Sequence, residues 1–127
     1  MTLELGGKSP AVIFDDCNLE NAIVWTANAI TANTGQVCFA ASRVYVQEGI
    51  YERFIAGYKQ AMMDKLETVG DPDNEVTQLG PLVDEAQFKR VTGFIERGKH
   101  GQGNLLTGGS RVGDKVSSPI LRTRSLS

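Results

Sequence analysis

The sequence predicts an α/β fold with a mainly parallel sheet flanked by helices. Three observations predict it. Short apolar runs stand at Ala11-Val12-Ile13-Phe14 and Val44-Tyr45-Val46-Gln47. Longer stretches between and after them carry apolar residues at helical spacing. Polar or Gly/Pro-rich punctuation separates the two kinds of segment.

Taken in order, Ala11–Phe14 follows Pro10 and is closed by Asp15-Asp16. A continuous apolar run of that length predicts a buried strand of a parallel sheet. A helix is expected from about Leu19 to Ala32, with Leu19, Ile23, Ala27 and Ile30 on one face. Asn18 suits its N-cap, and Glu20 suits the positive end of the helix dipole. Val44–Gln47 is rich in strand formers, and Glu48-Gly49 ends it. A second helix runs from Ile50 to about Leu66, with Tyr51, Phe54, Ile55, Tyr58 and Met62 along one side. Gly70-Asp71-Pro72-Asp73-Asn74 is a loop by composition. Pro81 limits any strand near Leu79–Val83 to an edge. Asp84-Glu85-Ala86-Gln87 has the form of a capping box. It opens a helix to about Lys99, with Phe88, Val91 and Ile95 as its apolar stripe and Gly101 and Gly103 ending it. Asn104-Leu105-Leu106-Thr107 is a short strand candidate. Residues 116–127 break the rhythm and are expected to form a divergent, disordered tail.

The 127 residues are one domain's worth of chain or a piece of a larger domain. A hydrophobic fraction of 41% and a charged fraction of 22% are ordinary for a globular protein. A net charge of −2 offers no electrostatic reason to bind nucleic acid or an anionic membrane. No apolar run reaches the roughly 20 residues of a spanning helix, and Met1–Gly6 lacks the build of a signal peptide. Two cysteines and one histidine at unrelated spacings make no metal pattern. The two cysteines could pair, but reduced thiols in an intracellular compartment are the favoured reading.

The chemistry concentrates in two runs. The first is Asn33-Thr34-Gly35-Gln36-Val37-Cys38-Phe39-Ala40-Ala41-Ser42-Arg43. It sets Cys38 on a glycine-entered turn just before a strand, where a thiol can be partly open and ringed by backbone N–H groups. The second is Glu4-Leu5-Gly6-Gly7-Lys8-Ser9-Pro10. Each has a bland reading of its own. Free cysteine is among the most buried residue types, a glutamate near a terminus is usually a solvated charge, and a lone Gly-Gly is a weak phosphate-loop signal.

Together, in this order, the two runs resemble the signatures of the aldehyde dehydrogenase superfamily. The resemblance extends through Arg43–Gln47, Gly70-Asp71-Pro72, Gly80-Pro81-Leu82-Val83 and Gly108-Gly109. It implies a partial catalytic domain over residues 1–115 and an NAD(P)-dependent oxidation of a small-molecule aldehyde to a carboxylic acid. It implies that Cys38 is the nucleophile, passing through a thiohemiacetal and a thioester, and that Glu4 activates the hydrolytic water. It places the backbone of Leu5 and Gly6 against the nicotinamide and Gln87 near the cofactor ribose, although the capping box is the competing reading for Gln87. The backbone N–H of Cys38 is the candidate oxyanion donor. Lys8 and Arg43 are expected in structural pairing, Cys17 in packing, and His100 as a charge at a helix C-terminus.

The family's cofactor domain precedes the Glu4 run. The resemblance therefore implies a fragment, with NAD or NADP held largely by chain outside these residues. It also implies homo-oligomeric full-length enzymes in the cytoplasm, or in the mitochondrial matrix if an upstream transit peptide exists. Two further readings stay open. One is an inactive truncated piece that associates with full-length subunits. The other is an unrelated thiol hydrolase, which needs His100 near Cys38.

Overall fold

The computed structural model describes residues 1–101, 104–112, 116–117 and 124–126. Strand β1 (Pro10–Ile13) pairs in parallel with β2 (Arg43–Gln47), in a register that sets Pro10 opposite Arg43 and Ile13 opposite Val46. The crossover between them contains α1 (Leu19–Thr31). As expected, the Asn18 side chain caps α1, its Oδ1 accepting from the Asn21 N–H at 3.0 Å. A short 3-10 turn at Glu48–Ile50 then leads into α2 (Tyr51–Leu66).

Both helices pack on one face of the sheet. Ala27 and Ile30 of α1, Val44 and Val46 of β2, and Phe54, Tyr58 and Met62 of α2 form one buried cluster. The spacing of these residues on each helix is what allows it, because positions three and four apart share a face. Phe54 and Tyr58 stack with ring centroids 5.3 Å apart. The two helices approach closely at Gly57, where a Cβ would lie 2.5 Å from Ile23 Cδ1.

The reading of β1 as a buried strand is corrected. Val12 is 50% exposed and Phe14 61%, while Ala11 and Ile13 turn toward the helices. Alternation sends every second side chain of β1 to the face that α1 and α2 do not cover.

The hydroxyl of Tyr58 is buried and has no hydrogen-bond partner among the described residues. Burial pushes its phenol above the usual range near 10. In the unfolded chain the phenol ionises near ~10, whereas in the folded chain it stays neutral to higher pH. Its contribution to stability is therefore complete below about pH 10 and is lost as pH rises from there toward the folded value. Tyr58→Phe is expected to stabilise the chain by roughly 1 kcal/mol, because it removes an unsatisfied buried group. It should also flatten the loss of stability above pH ~10. Urea midpoints of both proteins across that range check this.

The third helix, α3 (Glu85–Lys99), starts as predicted with Asp84 Oδ1 accepting from the Gln87 N–H at 2.7 Å. Only half of the capping box forms, since the Gln87 side chain accepts from Arg90 at 2.6 Å instead of reaching back. Of its apolar stripe, Ile95 is buried and Phe88 and Val91 are half-buried.

One other expectation is corrected, and two further segments add detail. Leu79 makes a single parallel bridge to Val69, and the Leu79–Val83 stretch forms no strand, since Pro81 has no N–H to pair. Asn104–Thr107 is irregular, and the pairing lies further on, between β3 (Arg111–Val112) and β4 (Val116–Ser117) in antiparallel sense. Within the stretch expected to form a tail, the described residues are two short strands. Besides β4, β5 (Arg124–Leu126) adds in parallel to the free edge of β2, with Tyr45 opposite Arg124. An unpaired strand edge offers N–H and C=O groups to any extended segment, whatever its side chains. The order among the described residues is therefore β1-β2-β5. Gly103, the Lys115 boundary and residues 118–123 and 127 lie outside the described residues.

Candidate active site

Helix α1 ends at Thr31, and the chain then enters a turn of unusual backbone. Asn33 (φ 48°), Thr34 (φ 58°) and Gly35 (φ 77°) follow one another in the left-handed region. Glycine adopts it freely, but a β-branched threonine does so only under constraint. The constraint is visible. Thr34 is buried, and its hydroxyl donates to the Gly80 carbonyl at 3.0 Å. The Gln36 N–H donates to the Asn33 carbonyl at 3.1 Å, and the Gln36 side-chain amide does so at 3.2 Å. Val37 and Ala40 close the next turn through an N–H to carbonyl bond of 3.1 Å. Cys38 sits on that turn, exposed, and β2 begins at Arg43.

The first residues of the chain lie alongside. The Arg43 N–H donates to the Ser9 carbonyl at 3.3 Å, and its guanidinium Nε donates to the Lys8 carbonyl at 2.7 Å. Arg43 therefore has the structural role expected of it. Lys8 Nζ donates to the neighbouring Gly7 carbonyl at 3.1 Å. Gly7 itself touches the Cys38 turn, since a Cβ there would lie 3.1 Å from the Cys38 carbonyl oxygen. Gly6, at φ +66°, makes the preceding bend in open space.

The two runs border an open cleft of about 360 Å³ whose walls include Glu4, Gly6, Lys8, Gln36, Cys38 and Ser42. The acid and the sulfur expected to cooperate thus line the same space, although they are far apart in sequence. Its volume lies in the range of small-molecule sites. A water molecule takes about 30 Å³, so the cleft has room for a small carbonyl compound and a water together. Of the other residues singled out, Gly6 is on the wall. Leu5, 85% exposed, and Gln87, bonded to Arg90 on α3, are not among the lining residues. Cys17 is half-buried and packs against the core. His100 caps α3, its N–H bonded to the Glu96 carbonyl at 3.3 Å. Sequence reasoning missed Ser42, whose hydroxyl is buried without a partner among the described residues. No local pattern marks it.

Gly7→Ala is expected to destabilise the chain by about 1–3 kcal/mol, because the atom it would crowd is backbone and cannot rotate away. A lowered denaturation midpoint, with less effect from alanine at Gly80, where a Cβ meets nothing within 4 Å, checks it.

The α/β sheet with its crossover helices has the fold of part of an oxidoreductase catalytic domain, and comparison with known proteins says which. The sequence pattern of the aldehyde dehydrogenase family matches residues 1–121, past the Lys115 boundary expected from the motifs, and the chain belongs to that family. It is 48% identical over 115 residues to an aldehyde dehydrogenase of Alternaria alternata, covering 91% of this chain and 23% of that protein. It is 46% identical over 101 residues to aldehyde dehydrogenase [NAD(P)+] 2 of Saccharomyces cerevisiae, covering 78% of this chain and 20% of that one. The crystal structure of gamma-glutamyl-gamma-aminobutyraldehyde dehydrogenase from Burkholderia cenocepacia superposes with a TM-score of 0.85 at 36% identity. That match covers 93% of this chain and 24% of the other. The chain therefore spans about a quarter of the length of the relatives it matches. Among the described residues, no helix is long and apolar enough to cross a membrane.

Proposed function

We propose that these residues carry the nucleophile and the base of an NAD(P)-dependent aldehyde dehydrogenase, and that taken alone they do not complete its turnover. The observation that carries this reading is the shared cleft of Glu4 and Cys38. The Cys38 sulfur, as thiolate, adds to the aldehyde carbonyl, and the oxygen that becomes negative accepts a hydrogen bond from the Cys38 backbone N–H. A bound NAD(P)+ would supply the hydride acceptor that converts this thiohemiacetal to a thioester. Glu4 takes a proton from a water that attacks the thioester, releasing the carboxylic acid and restoring the thiol.

The cofactor contacts explain the second half of the proposal. Leu5 and Gly6 leave their backbone open, which suits a passing nicotinamide amide. The Gln87 side chain is engaged by Arg90 and is not on the cleft wall. Few groups here remain to hold a dinucleotide. Association with full-length subunits, as a homo-oligomer or as an inactive companion, is the related reading. It is favoured by the exposed apolar side chains of Val12 on β1 and Phe14 just after it. The first reading makes it part of an intracellular enzyme acting on a small aldehyde, and the second a companion of such enzymes.

Timed alkylation with iodoacetamide, followed by peptide mass spectrometry, tests the nucleophile. Cys38 is expected to label well before Cys17 in the folded chain. Equal labelling of both thiols would remove the basis of this reading.

A further inference from the structure

We propose that the Gly80–Val83 segment holds the Cys38 turn in its reactive shape through Thr34 and Gln36, making Gln36 a positioning residue for the thiol. The inference rests on reading Cys38 as the nucleophile, but the structural device stands on its own observations.

A run of left-handed residues does not hold itself. Each non-glycine residue in that conformation costs about 1–2 kcal/mol relative to the right-handed form. Asn33 and Thr34 are two such residues in succession. Part of the hold is internal. Both the backbone and the side-chain N–H groups of Gln36 point to the Asn33 carbonyl, and the Asn33 side-chain amide donates back to the Gln36 carbonyl at 3.3 Å. The rest comes from a distant segment. The Val83 N–H donates to Gln36 Oε1 at 2.9 Å, across 47 positions of sequence, and Thr34 donates to the Gly80 carbonyl across 46. The Gln36 carboxamide therefore ties its own turn with its nitrogen and the neighbouring segment with its oxygen. Only Val37 separates it from Cys38.

The support is itself anchored at both ends. Leu79 is buried, its N–H donating to the Thr68 carbonyl at 3.2 Å and its carbonyl accepting from Gly70 at 3.0 Å. On the other side, Asp84 caps α3. A segment pinned between the end of α2 and the start of α3 is a rigid element of the kind that positions a reacting group. Gln36 and Thr34 reach it with side chains that no helix or strand requires. Their presence in the turn is explained by what they hold.

The test compares Gln36→Met and Thr34→Val, which keep volume and lose the bonds, with Thr34→Ser, which keeps the hydroxyl. Two readouts are taken on the whole chain. One is hydrogen exchange at the Ala40 amide, whose bond to Val37 closes the Cys38 turn. The other is acylation of Cys38 by p-nitrophenyl acetate. The proposal expects Gln36→Met and Thr34→Val to speed exchange and slow acylation by about tenfold or more. Thr34→Ser should restore both to near the parent values. Unchanged exchange in the first two variants overturns the proposal, as does faster exchange with unchanged acylation. Cys17 becoming as reactive as in the denatured chain would also overturn it, since the two residues would then hold the domain and not the turn. If Cys38 of the parent is acylated no faster than Cys17, the nucleophile reading fails, and the positioning device is judged on hydrogen exchange alone.

Discussion

Cys38→Ala is expected to abolish acyl transfer from p-nitrophenyl acetate, reducing the release of p-nitrophenolate to the rate of the buffer. An activated ester needs only the thiol and its surroundings, so the reaction can be followed on these residues without a dinucleotide. In the parent chain the acetyl group should appear on Cys38, the exposed thiol on the cleft wall. Glu4→Gln separates the second step from the first. Glutamine keeps the shape of the side chain but cannot take a proton, so acylation should proceed while hydrolysis of the thioester slows. Positioned general bases contribute about 10²–10⁴-fold, and the loss should fall in that range if Glu4 acts across the cleft. An acetyl group leaving Cys38 equally fast in both proteins would separate the carboxylate from the chemistry. Aldehyde oxidation with added NAD+ or NADP+ should be absent or very slow in all of them, for want of groups to hold the dinucleotide.

The second large effect concerns the fold that brings the two runs together. Phe54→Ala is expected to cost about 3–5 kcal/mol. Phe54 has no exposed surface, stacks on Tyr58, and sits in the cluster joining α1, β2 and α2. Domains of this size are stable by about 5–15 kcal/mol, so one such cavity consumes a large part of the margin. Urea denaturation followed by far-UV circular dichroism should show a midpoint shifted to markedly lower denaturant, or no folded baseline. Alanine at Phe94, by contrast, should move the midpoint little, as Phe94 is 61% exposed, with the Arg97 guanidinium over its ring at 4.4 Å. A small effect at Phe54 would mean that the cluster is not what holds α2 to the sheet.

Much of the scaffold was legible because it is local. Asn18 and Asp84 are side chains that satisfy orphan N–H groups a few residues away, and both do so where the sequence put them. The faces of α1 and α2 follow from the helical period alone. The parallel pairing of β1 with β2 follows from the helix-length segment between them. Legibility failed where a partner outside the segment decides. The apolar run of β1 reads the same whether one face or two are covered. Gln87 fits both a cap and a cofactor contact on paper, and in the structure its side chain turns to a third partner, Arg90. The tail has a composition that suggests no strand, yet β2 had an open edge to pair with.

What the amino-acid order determined by itself is the chemistry on offer. A thiol stands on a glycine-entered turn before a strand, and a carboxylate opens a run with two glycines. Around them lie helices whose stripes and caps are written in spacings of three and four. Only the tertiary structure decided that the thiol and the carboxylate share one cleft. That depends on Arg43 drawing Ser9 and Lys8 alongside the turn, on Gly7 lacking the Cβ that would push it off the Cys38 carbonyl, and on Thr34 and Gln36 reaching a segment far along the chain. Local propensity acts within a few residues, whereas these bonds join groups that meet only after the sheet has formed.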